Sequence, residues 1–326
     1  MPKLSSFIGI FLLVFAMLIW GSSFVALKFA MKDLGEYTVI FFRMLIASLC
    51  FIYFIKDFSK YEFTKKDKKL ILLLAIFEPC LYFIFEAKAL LYTSASQAGV
   101  ITSMMPLITA FFAGYFLKEI ISKQLLLGSL LAMVGVIWLS VNASASSSAP
   151  DPLLGNFLEF CAMVCGTGYT IVTRYLVDKF SPLFITAMQA FIGAVFFFPF
   201  FIYELNVKAL NFTFEGVASL FYLGVVVTLC GYGLYNFALT KIEASKAAMF
   251  INLIPIFTLI LAFLFLGEKL SFQELIACAV ILSGVVFSQI KIRRKKELKF
   301  DISGSFYFCF CFCYSFSYGK RGFAYF

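Results

Sequence analysis

Histidine is absent from this sequence of 326 residues, and charged residues are scarce, at 14%. Soluble domains carry about 25% charged and roughly 45–50% apolar residues, whereas this chain is 62% apolar. A soluble fold cannot bury so much apolar surface, because even a domain of about 300 residues leaves about a quarter of its chain surface in water. The composition excludes a water-soluble enzyme, a disordered chain and a small disulfide scaffold, and it indicates a polytopic membrane protein.

The residues that membrane-embedded enzymes use are also missing. Such enzymes need metal-binding clusters of Asp or His, or an activated nucleophile inside the membrane. No paired-Asp motif is present, and Cys161 and Cys165 share a helix face without a third ligand nearby. All the Asp residues fall in or beside the segments between apolar runs: Asp33, Asp57, Asp67, Asp151, Asp178 and Asp301. We therefore predict a protein that is not an enzyme and that binds neither a metal nor a cofactor.

Ten apolar runs follow one another along the chain, each long enough, or nearly so, to cross a membrane as a helix. A membrane β-barrel would instead show alternating segments of about 10 residues. The sequence thus predicts an all-α polytopic membrane protein with ten transmembrane helices. The runs lie at 8–30, 37–55, 70–91, 94–117, 124–141, 153–174, 183–203, 216–239, 245–266 and 273–290.

The basic residues between these runs predict the orientation. If the N-terminus is cytoplasmic, the inner segments hold nineteen Lys and Arg, and the outer segments hold only Lys32, Lys208 and Lys269. By the positive-inside rule, both termini are then cytoplasmic, and the protein is a multi-pass protein of the plasma membrane, the inner membrane of a bacterium. The charge is spread over short segments, so the lipid bilayer is the expected partner and nucleic acid is not.

An internal repeat divides the chain into two halves. A shift of 149 positions aligns 93–140 with 242–289, with fourteen of the forty-eight residues identical, among them Pro106 on Pro255. Each half holds five spans, so the halves face opposite ways across the membrane, an architecture typical of secondary transporters. The predicted organisation is a first repeat at 1–142, a linker at 143–152, a second repeat at 153–290, and a basic stretch with a weakly ordered aromatic and Cys-rich tail at 291–326.

Several motifs resemble the drug/metabolite transporter superfamily, EamA type. One is Trp20-Gly21-Ser22-Ser23-Phe24 in the first run, and another is Arg43 within Phe41-Phe42-Arg43-Met44-Leu45-Ile46-Ala47. The repeat supplies the third motif twice, first as Ala95-Ser96, Pro106, Leu117-Lys118-Glu119, Gln124 and Gly135, with Lys118 where Gly is usual, and then as Ala244-Ser245, Pro255, Leu266-Gly267-Glu268-Lys269, Gln273 and Gly284. The resemblance covers about 8–290 and implies a ten-helix carrier that works by alternating access, usually an exporter of small metabolites.

Charges inside the apolar runs are the first candidates for a substrate site, because each costs roughly 2.5–3.5 kcal/mol to insert. Glu78, beside Pro79, is the candidate for a titrating group or a group that binds a substrate amine, and Glu86 can share its cavity wall. Arg43 is expected to fix the first three helices, with direct contact to an anion as the alternative. The other intramembrane charges are Lys28, Lys88 and Glu159.

Two prolines and several polar side chains complete the candidate site. Pro106 and Pro255 each free the carbonyl four residues earlier, so they act either as hinges beside the substrate path or as simple kinks. Ser103 and Asn252 align across the repeat just before them. Further polar residues either line the cavity or bond to one another between helices: Tyr82, Tyr169, Gln189, Tyr232, Tyr235 and Asn236.

These observations predict a secondary transporter, an exporter of a small metabolite or amino-acid-like solute. The alternatives on the same fold are a flippase for a lipid-linked substrate and a passive channel. A greasy groove open to lipid favours the flippase, whereas a closed central cavity favours the carrier. No nucleotide-binding motif is present, so protons, a counter-substrate or the solute's own gradient must drive transport.

Overall fold

The structure is a computed structural model, and it describes most of the chain. The tail at 291–326, which the sequence analysis set apart, lies outside the described residues. The described residues are 2–54, 58, 60–116, 123–147, 149–241, 247–248 and 250–289.

Within the described residues, the helices form ten spans, α1 to α10, whose bounds lie close to the predicted runs. Six spans are single helices: α1 Pro2–Asp33, α2 Glu36–Ile52, α5 Lys123–Asn142, α6 Pro152–Leu176, α7 Pro182–Val207 and α10 Phe272–Gln289. Four are interrupted: α3 Lys65–Tyr92, α4 Ala95–Ile101 with Met104–Phe116, α8 Phe214–Leu239 and α9 Phe250–Leu266. Five spans are clearly long and apolar enough to cross a membrane, and three shorter ones are also apolar. The predicted all-α polytopic fold is confirmed.

Short polar residues begin several spans, because they satisfy backbone N–H groups that the first helical turn leaves free. Thr64 and Asp67 form a capping box at the start of α3. Side-chain oxygens cap α4, α6, α7 and α8 in the same way, those of Ser94, Asp151, Ser181 and Thr213. These caps let the chain turn between spans in only a few residues.

The interruptions occur at equivalent places in the two halves. In α4 the helix breaks after Ile101, and the N–H of Met105 donates to the Thr102 carbonyl at 3.0 Å. In α9 a 3₁₀ turn, Phe250–Leu253, precedes the main helix. Pro106 and Pro255 therefore lie in the first turn of a new helical segment, where a missing N–H costs little. The prolines mark breaks in the spans rather than kinks within continuous helices.

The second interrupted pair is α3 and α8. In α3, Glu78 has an extended backbone (φ −151°, ψ 118°) within the π-helical turn Ile76–Leu81, and its peptide bond to Pro79 is cis. In α8, the π-helical segment Tyr222–Tyr232 occupies the middle of the span. Irregular backbone at membrane depth is tolerated where protein buries it or where it lines a cavity.

The packing of the spans follows a pseudo-twofold exchange of the two halves. Span α2 packs on its repeat partner α7, and α5 packs on its partner α10, while α1 contacts α8 and α9 as α6 contacts α3 and α4. A hydrogen bond from a threonine joins α4 to α6, and another joins their repeat partners α9 and α1. Thr109 and Thr167 share one of 3.1 Å, and Thr258, which aligns with Thr109, donates to the Gly21 carbonyl at 3.0 Å.

The two halves run in opposite directions. Glu268, just before α10, accepts hydrogen bonds from the N–H groups of Ala95 and Ser96 at the start of α4. The aligned Glu119 follows the far end of α4 in the sequence and lies outside the described residues. The start of α4 thus lies beside the end of its repeat partner α9, as inverted repeats require.

The α5–α10 pair depends on glycines that bring the two backbones together. A Cβ added to Gly284 would lie 2.6 Å from the Ala132 nitrogen and 2.7 Å from the Gly128 oxygen. Backbone atoms cannot rotate away as a side chain can, so the helices would have to separate.

We expect Gly284→Ala to lower the free energy of unfolding by about 1–3 kcal/mol, the usual cost of overpacking. Gly233→Ala is the matched control, because Gly233 is also helical and nothing lies within 4 Å of its added Cβ. This control should leave stability unchanged or raise it, since Ala exceeds Gly in a helix by about 1 kcal/mol. Unfolding of the purified proteins in detergent gives both values, and equal stabilities would contradict the close α5–α10 contact.

Candidate functional site

A small cavity lined by both polar and apolar side chains lies where the two halves meet. Its volume is about 30 Å³, and one water needs about 10–15 Å³ by the same measure. The spans must therefore separate before a metabolite can enter. The lining comes from α1, α2, α3, α4, α6, α8 and α9: Trp20, Ser23, Phe24, Arg43, Glu78, Tyr82, Glu86, Thr102, Met105, Met163, Tyr169, Thr170, Tyr232, Tyr235, Ile251 and Ile254.

The break in α3 places Glu78 in the cavity wall. The residue is buried, and the Tyr232 hydroxyl of α8 donates to its Oε1 atom. Pro79 packs against Gly193 of α7, where a Cβ would lie 2.6 Å from the proline ring. The carboxylate thus has one partner from the other half of the protein, and that partner also lines the cavity.

Arg43 is buried and connects three spans. Its Nε donates to the Thr228 hydroxyl of α8 at 2.9 Å, and its guanidinium lies 3.8 Å from the Glu86 carboxylate. The guanidinium carbon also lies 4.2 Å from the centre of the Phe83 ring. The sequence analysis expected Arg43 to fix the first three helices, and the structure shows contacts to α3 and α8.

Two further contacts concern the carboxylates of the site. Tyr82 donates to Glu86 one turn away, at 3.1 Å. Glu159 of α6 is fully buried, and neither of its carboxylate oxygens has a hydrogen-bond partner among the described residues. In the described part of the chain, two carboxylates, those of Glu78 and Glu86, therefore share the cavity lining with the guanidinium of Arg43.

Aromatic rings form another part of the cavity wall. The Trp20 ring centre lies 5.0 Å from that of Tyr232 and 4.9 Å from that of Tyr235, and Tyr169 meets Tyr232 at 5.9 Å. The buried indole N–H of Trp20 has no partner among the described residues. A donor, several π faces and a carboxylate therefore border the same small space.

Two of the candidate residues support the cavity wall without lining it. Tyr169 donates to Asn236 at 2.9 Å and to Gln189 at 3.3 Å, and the Asn236 amide donates to Thr186 at 2.9 Å. Gln189 and Asn236 thus orient Tyr169 from behind, the bonding between helices that the sequence analysis gave as one option.

Four candidate residues lie near the two breaks, and none of them lines the cavity: Ser103, Pro106, Asn252 and Pro255. Ser103 donates to the Val100 carbonyl at 2.7 Å, and the buried amide atoms of Asn252 have no partner among the described residues. Pro106 and Pro255 do not line the cavity, but Thr102 and Ile251, each four residues earlier, do. The breaks therefore bring backbone near the cavity, while the prolines themselves pack beside it.

Sequence reasoning left several lining residues out of the candidate site. Trp20, Ser23 and Phe24 belong to the motif in the first run, but the sequence analysis did not name them as candidates for the site. Thr102 and Ile251 could have been found, because each is four residues before a proline. Glu159 was recognised as an intramembrane charge, but the sequence gives no sign that it lacks a partner.

A hydrogen-bonded seal closes the bundle at the end where α4 begins. Glu268 accepts from the N–H groups of Ala95 at 3.0 Å and Ser96 at 2.8 Å. In the same seal, Gln97 donates to Glu274 at 2.6 Å, and Asn156 donates to Gln97 at 2.9 Å. This Glu268 seal joins α4, α6, α10 and the segment between α9 and α10, so it connects the two halves of the protein.

The remaining intramembrane cations lie near this end. Lys28 donates to the Thr93 carbonyl at 2.7 Å, and Lys88 pairs with Glu36 at 3.1 Å. In the described part of the chain, no group of three or more Cys, Asp or Glu side chains is placed to hold a metal ion.

A groove on the outside of the bundle runs between α1, α8 and α9. Its volume is about 530 Å³, and the hydroxyls of Ser22 and Tyr222 share a hydrogen bond in its wall. Among the described residues, no charged side chain lines it. The lining residues are Ser22, Val25, Ala26, Phe29, Ala218, Ser219, Tyr222, Leu261 and Phe265.

Comparison with known proteins gives consistent results. The sequence profile of the EamA-like transporter family matches residues 7–141 and 153–290. An uncharacterized transporter of Bacillus subtilis, YcxC, is 29% identical over 84% of this chain and 90% of its own, and another from that organism, YetK, is 27% identical over 85% of both chains. A chloroplastic WAT1-related protein of Arabidopsis thaliana is 25% identical over 82% of this chain and 66% of its own. One crystal structure superposes with a TM-score of 0.61 over 86% of this chain and 95% of its own, at 15% identity, which shows the fold alone.

Proposed function

This chain belongs to the EamA-like transporter family, and we propose that it exports a small amine-bearing or amino-acid-like solute across the plasma membrane by alternating access. The nineteen basic residues of one set of segments, against three of the other, favour cytoplasmic termini. In that orientation the Glu268 seal faces the outside.

The observation that carries the proposal is the excess of carboxylates in an aromatic cavity between the halves. Glu78 and Glu86 are buried and line the cavity together with one guanidinium, that of Arg43. A buried carboxylate is stable when a cation accompanies it, and an ammonium group is attracted to the faces of Trp and Tyr rings. A solute with a protonated amine therefore fits this site better than an anion.

Alternating access is supported by the twofold packing and by the seal. The seal is made by contacts between the halves, and the repeat carries the same residue types in its other copy, Glu119 and Ala244-Ser245. Binding sites of such carriers lie near the midplane, at discontinuous helices. The breaks at Ile101 in α4 and at Leu253 in α9 are positions where these spans can bend.

The outer groove is the one observation that favours a flippase for a lipid-linked substrate. Its apolar wall suits an acyl or prenyl chain, yet a polar headgroup crossing the membrane needs charged partners. Those partners lie in the central cavity, around Glu78 and Arg43. A passive channel needs a continuous wet path, and the Glu268 seal interrupts such a path. Both observations favour the carrier.

Replacing Glu78 by Gln should abolish export while leaving the amount of protein in the membrane unchanged, because Gln keeps the shape and the bond to Tyr232 but loses the charge. The test compares the small molecules in the medium of cells that express the wild type, the variant or neither. We expect one or more amine-bearing solutes to accumulate outside only with the wild type. An unchanged medium, or an accumulation of anions alone, would contradict the proposed function.

A further inference from the structure

We propose that Glu159 is a proton-binding site that couples the export of a cation to the entry of a proton. The inference rests on the proposed transport function and goes beyond it, because it assigns the coupling ion and the residue that carries it. Three features of the structure support it: the burial of the carboxyl group, its place along α6, and the charges around it.

The first feature is the burial of Glu159 without a partner. Its exposed fraction is 0%, and neither oxygen has a hydrogen-bond partner among the described residues. Glu204 of α7 is also buried, yet it accepts two hydrogen bonds of 2.7 Å, from the N–H and the hydroxyl of Thr38. An ionised carboxylate without such donors is very unfavourable away from water, and the group takes up a proton instead. In this closed conformation Glu159 is therefore the neutral acid.

The second feature is the position of Glu159 on α6. Asn156, one turn earlier, belongs to the Glu268 seal, and Met163, one turn later, lines the central cavity. A helix rises 1.5 Å per residue, so Glu159 lies about 4.5 Å along the axis from the first and about 6 Å from the second. Opening the seal would admit water to Glu159 before the cavity, and opening the other end would reach it through the cavity.

The third feature is the set of groups that face Glu159. From α3, the titratable groups that act on it are Glu86 and Tyr82. The side chains from α4 and α5 that meet the first turns of α6 are Gln97 and Ser140, both neutral and both bonded to Asn156. Span α8 meets α6 further along, where the Tyr235 and Thr170 hydroxyls share a hydrogen bond. Arg43 compensates Glu86, which leaves the charge of Glu159 to be met by a proton or a cation.

A balanced cycle follows from this arrangement. With the seal open, a proton from outside binds a carboxylate oxygen of Glu159 as the exported cation leaves the cavity. The closed protein then carries a neutral acid. When the opposite end opens, the O–H bond breaks, the proton passes to water on the inside, and the ionised carboxylate favours entry of the next cation. One positive charge moves in each direction, so the exchange is electroneutral.

Infrared spectroscopy of the purified full-length protein tests the protonation directly. We expect the carbonyl band of a protonated carboxylic acid in the wild type and its loss in Glu159→Gln. Glu204→Gln is the matched control and should keep the band, because the Glu204 carboxylate accepts two hydrogen bonds from Thr38. A Glu159→Gln protein that keeps the full band would overturn the inference.

Transport in sealed proteoliposomes tests the coupling, with labelled tetramethylammonium as a cation that has no proton to lose. In the wild type, an acidic exterior should accelerate efflux. In Glu159→Gln, exchange of tetramethylammonium should be slower, because the carboxylate that favours cation entry is gone, and efflux should be equal with and without the proton gradient. A variant that still responds to the gradient would overturn the inference. A wild type that shows the infrared band yet moves no tetramethylammonium would instead count against the proposed function.

Discussion

Replacing Arg43 by Ala should lower the free energy of unfolding by about 3–5 kcal/mol, the usual cost of removing one partner of a buried ion pair. The loss is large because three contacts disappear together: the Glu86 carboxylate at 3.8 Å, the Thr228 hydroxyl at 2.9 Å and the Phe83 ring at 4.2 Å. Among the described residues, Glu86 would remain buried with the Tyr82 hydroxyl as its hydrogen-bond partner. Unfolding of the purified variant in detergent, followed by circular dichroism, measures the change.

Two further variants make this result specific. Arg174→Ala also removes an Arg–carboxylate pair, the one with Asp178 at 2.8 Å, but that pair is exposed. It should change stability by only about 0.3–0.5 kcal/mol. Adding Glu86→Gln to Arg43→Ala should recover part of the lost stability, because the Glu86 charge is then not left buried without the guanidinium. If Arg43→Ala were as stable as Arg174→Ala, the buried pair would not hold α2, α3 and α8 together.

The spans and their repeat were predictable because they depend on average properties of long segments. The length of an apolar run decides whether a helix crosses the bilayer, and the identities between 93–140 and 242–289 are visible without any structure. The bounds of α6, predicted at 153–174 and found at Pro152–Leu176, show how little tertiary contacts change such a span. Orientation follows from charge counts and remains a prediction.

The breaks in the spans were less accessible to sequence reasoning. Proline predicts a lost hydrogen bond, but neighbouring donors decide whether the helix bends, breaks or restarts. At Pro106 the Met105 N–H takes the Thr102 carbonyl, so the span restarts and the proline lies at the beginning of a segment. The extended backbone at Glu78 likewise depends on the packing of Pro79 against Gly193, a contact between α3 and α7.

The residues of the candidate site were predictable from the sequence, whereas their contacts were not. A charged residue inside an apolar run is conspicuous because its insertion into the membrane is energetically unfavourable. Glu78, Glu86 and Arg43 could therefore be chosen from the sequence, and the structure brings all three to one cavity. Which charge finds a partner depends on the other helices. Arg43 bonds to α8, at Thr228, a residue that no sequence pattern distinguished. Among the described residues Glu159 lacks a hydrogen-bond partner for the same reason, because its surroundings are set by four other spans, α3, α4, α5 and α8.

Replacing Glu268 by Ala should open the protein toward the outside in the proposed orientation. Its carboxylate accepts two backbone N–H groups at the start of α4, at 3.0 and 2.8 Å. Hydrogen bonds to a charged group contribute about 1.5–3 kcal/mol each, and every 1.4 kcal/mol is about tenfold in an equilibrium. Losing even one of them should raise the population that is open at this end by roughly tenfold to a hundredfold.

A cysteine at Met163, which lines the cavity, reports this opening when the native cysteines are replaced. An impermeant maleimide added outside should label it faster by that factor in Glu268→Ala, and labelling from the inside of inverted vesicles should slow. Lys269→Ala changes the neighbouring exposed residue and should leave both rates unchanged. A shift from the inward-open to the outward-open conformation should change the two labelling rates in opposite directions. General loosening of the protein would raise both rates. Acceleration from both sides would therefore contradict the role of the Glu268 seal as one of two alternating closures.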